Sequence, residues 1–92
     1  MIQNFRHRGL KRLYDRGDRS RLPADMVARI EEIILALDTA QDVEEMRRPS
    51  SRLHQLSGDR RGEWAVTVRA NWRIVFRFVD GNAFDVDFVD YH

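Results

Sequence analysis

The spacing of apolar residues changes once along this chain, at Pro49, and that change restricts the fold more than any other feature. Before Pro49 apolar residues recur three and four positions apart, the period of a helix face. After it they recur at every second position, the period of a half-buried strand. Helices come first and strands follow, without alternation. That order predicts an α+β fold in which two N-terminal helices pack on a small, mainly antiparallel β-sheet. The 92 residues suit a single domain spanning 1–92.

The helical half divides at Gly17. Leu10, Leu13 and Tyr14 stand at i, i+3 and i+4, and Gly17 can end that helix in the left-handed conformation. Pro23 suits a first helical turn, and Met26, Val27, Ile30, Ile33, Ile34 and Leu37 make one apolar stripe, so a second helix is expected over 23–40. A further short turn is expected in "QDVEEM", stopped by Pro49. Residues 2–5, "IQNF", suggest a first edge strand.

In the strand half, 52–56, 63–70, 73–79 and 83–91 alternate. Parity fixes an expected register for the last hairpin. Phe76 and Phe78, like Phe84 and Phe88, must face the core, so paired residue numbers must sum to an even value. That requires a three-residue loop at 80–82. The pairs expected inside are Phe78–Phe84, Phe76–Val86 and Ile74–Phe88. Those expected outside are Arg77–Asp85, Val75–Asp87 and Arg73–Val89. Arg77 then has an acid opposite it, and Arg73 has none, which marks Arg73 for binding a phosphate.

Charge is uneven although the net value is only +1. Residues 1–21 hold seven Arg or Lys against Asp15 and Asp18; 22–46 hold seven acids against Arg29; 47–61 hold five Arg against Asp59. Two basic blocks therefore flank an acidic one. Arg far outnumbers Lys, and its fork suits bidentate contacts with phosphate. A nucleic-acid face is expected on the side of Arg47, Arg48, Arg60, Arg61 and Arg73, with Trp72 as a possible stacking platform and the acidic helix turned elsewhere. The chain has no cysteine, so it has neither a disulfide framework nor a thiolate metal site. No run of 18 apolar residues is present, so no membrane partner is expected, and a cytoplasmic location is.

Few residues can carry chemistry. His7 stands at a helix start, where a cation is disfavoured, and is expected at the surface. His54 lies in a strand, and His92 follows Asp90 and Tyr91. Each of these has an ordinary structural role open to it. Together His54, Arg73, Asp90, Tyr91 and His92 can converge on one edge of the sheet. Two imidazoles can take up and return a proton near neutrality. An Arg beside them can stabilise charge on a phosphoryl oxygen. No HExxH, P-loop or GxGxxG is present, and no metal or cofactor is expected. Metal-free proton transfer of this kind suits RNA, whose 2′-OH can attack the adjacent phosphate.

The stretch "RLHQLSGDRRGEWAVTVRANWRIVFRF", followed by "DVDFVDYH", resembles the HigB-type toxins, the plasmid-maintenance killer proteins of the RelE/ParE superfamily. "MIQNFRHRGLKRLY" fits the same family, so the resemblance runs end to end. It implies a RelE-like fold and a ribosome-dependent endoribonuclease that enters the A site and cuts translating mRNA. It also implies control by a helix-turn-helix antitoxin, with operator DNA bound only by the toxin–antitoxin complex. Carried over by motif, the catalytic residues are His54, Arg73, Asp90, Tyr91 and His92. A non-enzymatic inhibitor of DNA gyrase, as among ParE-like toxins, is the alternative, although pure binding has no need of paired imidazoles. Relatives often place a basic residue before the Gly of "RLHQLSG"; here Ser57 stands there, and Arg60 or Arg61 is expected to compensate.

Overall fold

The computed structural model describes residues 1–91. Helix α1 (Arg8–Arg16) begins at His7, whose Nδ1 accepts the Leu10 N–H at 3.2 Å. Such a bond needs a neutral ring nitrogen, so His7 is a half-buried helix cap packed edge-on against Phe88, not the surface residue expected. Leu10 and Leu13 are buried, and Gly17 ends the helix at φ 69°, where it and Asp18 donate to the Leu13 and Arg12 carbonyls.

Helix α2 (Val27–Thr39) starts later than the sequence suggests. Pro23 opens a turn closed by Met26 N–H on its carbonyl, and the helical bonds begin with Ile30 on Met26. The buried stripe is the one expected: Val27, Ile30, Ile33, Ile34 and Leu37. Residues Val43–Met46 form a short 3₁₀ turn, held by a reciprocal cap between Asp42 and Glu45.

Strands β1 (His54–Gln55), β2 (Trp64–Arg69), β3 (Trp72–Val79) and β4 (Asn82–Asp90) form an antiparallel meander in the order β1-β2-β3-β4. Residues 2–5 do line the β4 edge, but only through two isolated parallel bridges, Ile2 to Ala83 and Phe5 to Val86. One face of the sheet carries Val66, Ile74, Phe76, Val86 and Phe88 against Leu10, Ile30, Leu37 and other buried residues of both helices. Burying each such side chain stabilises the fold by about 1.5–3 kcal/mol. The opposite face has a small cluster of its own, in which Leu56, Ala65 and Val75 are buried beside Val89.

The last hairpin corrects half of the expected register. Val79 pairs with Asn82 around a two-residue Asp80–Gly81 turn, both central residues having positive φ (50° and 79°), the requirement of a type I′ turn. Phe78 therefore faces Ala83, and Arg77 faces Phe84 rather than Asp85. A bulge at Asp85, φ 54°, then adds one residue to β4. Beyond it the expected pairs hold: Val75–Asp87, Ile74–Phe88 and Arg73–Val89. Phe84 is consequently only half-buried and Ala83 takes the core position. Asp85 bonds Asn4, whose Nδ2 donates to it at 2.7 Å and whose Oδ1 accepts its N–H at 3.0 Å, and it lies 3.8 Å from Arg6.

Candidate active site

The sheet face away from the helices carries His54 and Arg73. Pairing places His54 in one row with Ala65, Val75 and Asp87, and Thr67, Arg73 and Val89 in the next. Paired residues share a face, so these side chains stand on one surface. The axes of β1 and β3 are about 10 Å apart, two strand spacings. Between them β2 contributes only the small side chains of Ala65 and Thr67, which leaves a low floor between His54 and Arg73. That shape suits an extended strand better than an engulfed small molecule. Concavities elsewhere hold about 480 Å³ at Met1, Asp38, Gln41 and Asp80, about 320 Å³ along Arg8, Lys11, Arg12, Asp15 and Arg16, and about 290 Å³ at Leu13, Tyr14, Ile34 and Leu35.

His54 is exposed, and its Nδ1 lies 2.9 Å from the Arg52 carbonyl. A carbonyl only accepts, so in the neutral ring Nδ1 carries the hydrogen and Nε2 offers a lone pair. Arg73 is half-buried, and its Nη1 donates to the Ala70 and Trp72 carbonyls of the β2–β3 turn. It is thus not the unpartnered cation expected, but a guanidinium anchored at one end. Its Nε and the hydroxyl of Thr67, its register partner, are both buried without a hydrogen-bond partner among the described residues. Thr67 was not among the sequence candidates, though its place between Val66 and Val68 puts it on the outer face by alternation alone.

Tyr91 is exposed and continues the ladder, its N–H bonding the Asn71 carbonyl at 2.8 Å. Alternation along the strand gives it the face of Arg73 and Val89. Asp90 pairs with Trp72 at the end of β4, and alternation turns it to the helix side. Register and alternation thus give His54, Arg73 and Tyr91 one face of the sheet and Asp90 the other. His92 lies outside the described residues.

The basic candidates divide in two. Arg47 grips Glu44 through Nε at 2.6 Å and Nη2 at 3.2 Å, which holds the Glu44 carboxyl below its usual range. Arg60 bonds the buried Glu63 at 3.0 Å, and Arg6 meets the same carboxylate at 3.5 Å. Both therefore serve local structure. Arg48 and Arg61 are exposed. Trp72 stacks on Phe88 with centroids 4.6 Å apart, so one face of its ring is already covered. Among the described residues no group of His, Asp or Glu is placed to hold a metal ion, and no helix is long and apolar enough to cross a membrane.

Two helices on one face of an antiparallel meander, with the other face open, is the architecture of RelE-like toxins. The fold superposes on the YoeB dimer structure from Staphylococcus aureus with a TM-score of 0.61 at 14% identity, covering 100% of this chain and 93% of that one. It superposes on a YoeB/ParE toxin from Agrobacterium tumefaciens with a TM-score of 0.57 at 18% identity, covering 100% and 95%. In sequence the chain is 48% identical to "Endoribonuclease HigB" of Proteus vulgaris over the whole of both chains. It is 29% identical to "Toxin HigB-1" of Vibrio cholerae, covering 100% of this chain and 98% of that one. The model of the HigB-like toxins, described as RelE-like toxins of type II toxin–antitoxin systems, matches residues 3–92, and the chain belongs to that family. Membership implies an antitoxin partner.

Proposed function

We propose that this toxin is an endoribonuclease that cuts translating mRNA on the ribosome, by acid–base catalysis without a metal. The relative from Proteus vulgaris is itself named an endoribonuclease, and shares 48% of its residues with this chain. The observation that carries the reading is the exposed His54 ring, its Nδ1 on a carbonyl and its Nε2 lone pair free to accept a proton, on the same open face as Arg73. In the proposed reaction His54 Nε2 takes the 2′-OH proton as the oxygen attacks the neighbouring phosphorus. Arg73 stabilises the negative charge that builds on the phosphoryl oxygens. His92 returns a proton to the departing 5′-oxygen, and Asp90 and Tyr91 position the reacting groups. The products are a 2′,3′-cyclic phosphate and a 5′-OH. Arg48 and Arg61 suit contacts with the RNA backbone.

The ribosomal A site is the proposed place of action, and a helix-turn-helix antitoxin, binding operator DNA together with the toxin, the proposed inhibitor. Both actions belong to the cytoplasm. The test is expression of wild-type, His54→Gln and His92→Gln chains, with mRNA ends mapped in the arrested cells. Wild-type cells should accumulate mRNA cut within reading frames, with 5′-OH ends, and both variants should be benign. Intact mRNA together with a DNA-damage response would sink the proposal in favour of gyrase inhibition.

A further inference from the structure

We propose that residues 47–53 form a clamp that sets the tautomer of His54, with the backbone of Arg52 as its working part. The proposal rests on the reading of His54 as the base of RNA cleavage and adds how that base is prepared. Arg52 has φ 49°, a left-handed conformation that any residue with a Cβ disfavours. Its neighbours on both sides are fixed. Ser51 is 4% exposed, its carbonyl accepts the Thr67 N–H of β2 at 2.6 Å, and its hydroxyl accepts Arg29 Nη2 from α2 at 3.2 Å. The Ser51 and Arg52 N–H groups both donate to the Arg48 carbonyl, at 2.9 and 3.3 Å. On the other side Leu53 is 5% exposed, and its carbonyl accepts Arg47 Nη1 at 3.4 Å. The chain must pass from one buried anchor to the next, and Arg52 absorbs the reversal.

The left-handed turn brings the Arg52 carbonyl to His54 Nδ1 at 2.9 Å. An exposed imidazole in water favours the Nε2–H tautomer, which presents no lone pair at Nε2. The carbonyl inverts that preference, because the bond forms only when Nδ1 carries the hydrogen. Nε2 then keeps the lone pair a base needs. Arg52 is therefore a positioning residue that acts through its backbone. Substitution should be judged by access to positive φ and not by charge.

The experiment compares wild type, Arg52→Gly, Arg52→Ala and Arg52→Val. All three variants lack the guanidinium, and they rank in that order for access to left-handed φ. Nitrogen NMR of His54, at a pH above the imidazole range, reads the tautomer without RNA; mRNA cleavage in a translating extract gives kcat and KM. Wild type and Arg52→Gly should hold the Nδ1–H form with similar kcat. Arg52→Val should shift toward Nε2–H and lose about tenfold or more in kcat with little change in KM, within the range a general base supplies. If Arg52→Val does not fold, Arg52→Thr, β-branched but polar, should show the same change, and Arg52→Ala should stay close to wild type. An Nε2–H wild type, or variants alike in tautomer and kcat, would overturn the clamp. A wild type that holds Nδ1–H, with Arg52→Val losing it, while mRNA stays intact would uphold the clamp and overturn the RNA-cleavage reading.

Discussion

Replacing Arg73 by Ala separates catalysis from folding. In the folded state the guanidinium makes two hydrogen bonds to turn carbonyls, of Ala70 and Trp72, one exposed and one partly buried. Each contributes about 0.5–1.5 kcal/mol. Against that, Nε is already buried without a partner among the described residues, and removing such a group recovers about 1–3 kcal/mol of desolvation cost. The two effects largely cancel, so the net change in stability should stay within about 1 kcal/mol of zero, a shift in Tm of no more than about 4–8 °C for a domain of this size. Loss of a preorganised donor aimed at developing charge is worth about 10²–10³ in kcat. Thermal unfolding and mRNA cleavage in a translating extract, run on the same preparation, measure both quantities. Arg73→Lys, which keeps the charge but not the fork, should fall between the two in activity. A fall in Tm of about 20 °C or more, or cleavage within about twofold of wild type, would refute the assignment and make Arg73 a structural residue of the turn.

Three other outcomes are expected. Gly17→Ala should lower stability by about 1–2 kcal/mol through backbone strain alone, since φ is +69° and nothing lies within 4 Å of the added Cβ; chemical denaturation reads it, and cleavage should be unaffected. Ser57→Lys should lower KM for RNA about two- to fivefold and make binding more salt-dependent, because Ser57 is exposed and its side chain makes no cap hydrogen bond that would be lost. Tyr14 should ionise above the ordinary tyrosine range, raised first by its hydrogen bond to Asp38 and then by burial. That bond contributes stability below the unfolded tyrosine pKa and loses it as pH rises through the raised value; ultraviolet titration of the two tyrosines reads it, and Asp38→Asn should bring Tyr14 down.

The sequence showed the helix-then-sheet order because periodicity is local: each stripe reports its own burial without knowledge of the rest. The Gly17 cap and the inner faces of β2 and β3 were legible for the same reason. The Asp85 bulge was not. Parity assumes unbroken alternation, and that assumption chose a three-residue loop over the two-residue turn that Asp80–Gly81 signals. What stabilises the bulge is the side chain of Asn4, 81 positions away, which no local pattern reveals. His7 was misread because a helix start disfavours a cation, whereas a neutral imidazole accepts a backbone N–H there. The engagement of Arg47 and Arg60 could have been read, since each stands three residues from a Glu. In the site, alternation placed Arg73 and Tyr91 on the outer face and Asp90 on the other side of the sheet.

The bridges from Ile2 and Phe5 to Ala83 and Val86 also bear on how the fold closes. Each joins positions 81 apart, and β4 supplies Ala83, Val86 and Phe88 to the core. Until β4 docks, β3 has an open edge and the His7 cap of α1 has no Phe88 against it. The helix periodicity is local, but completing the sheet is a long-range event, and long-range pairing is slow. Residues 2–5 therefore act as a latch that engages only once β4 is in place.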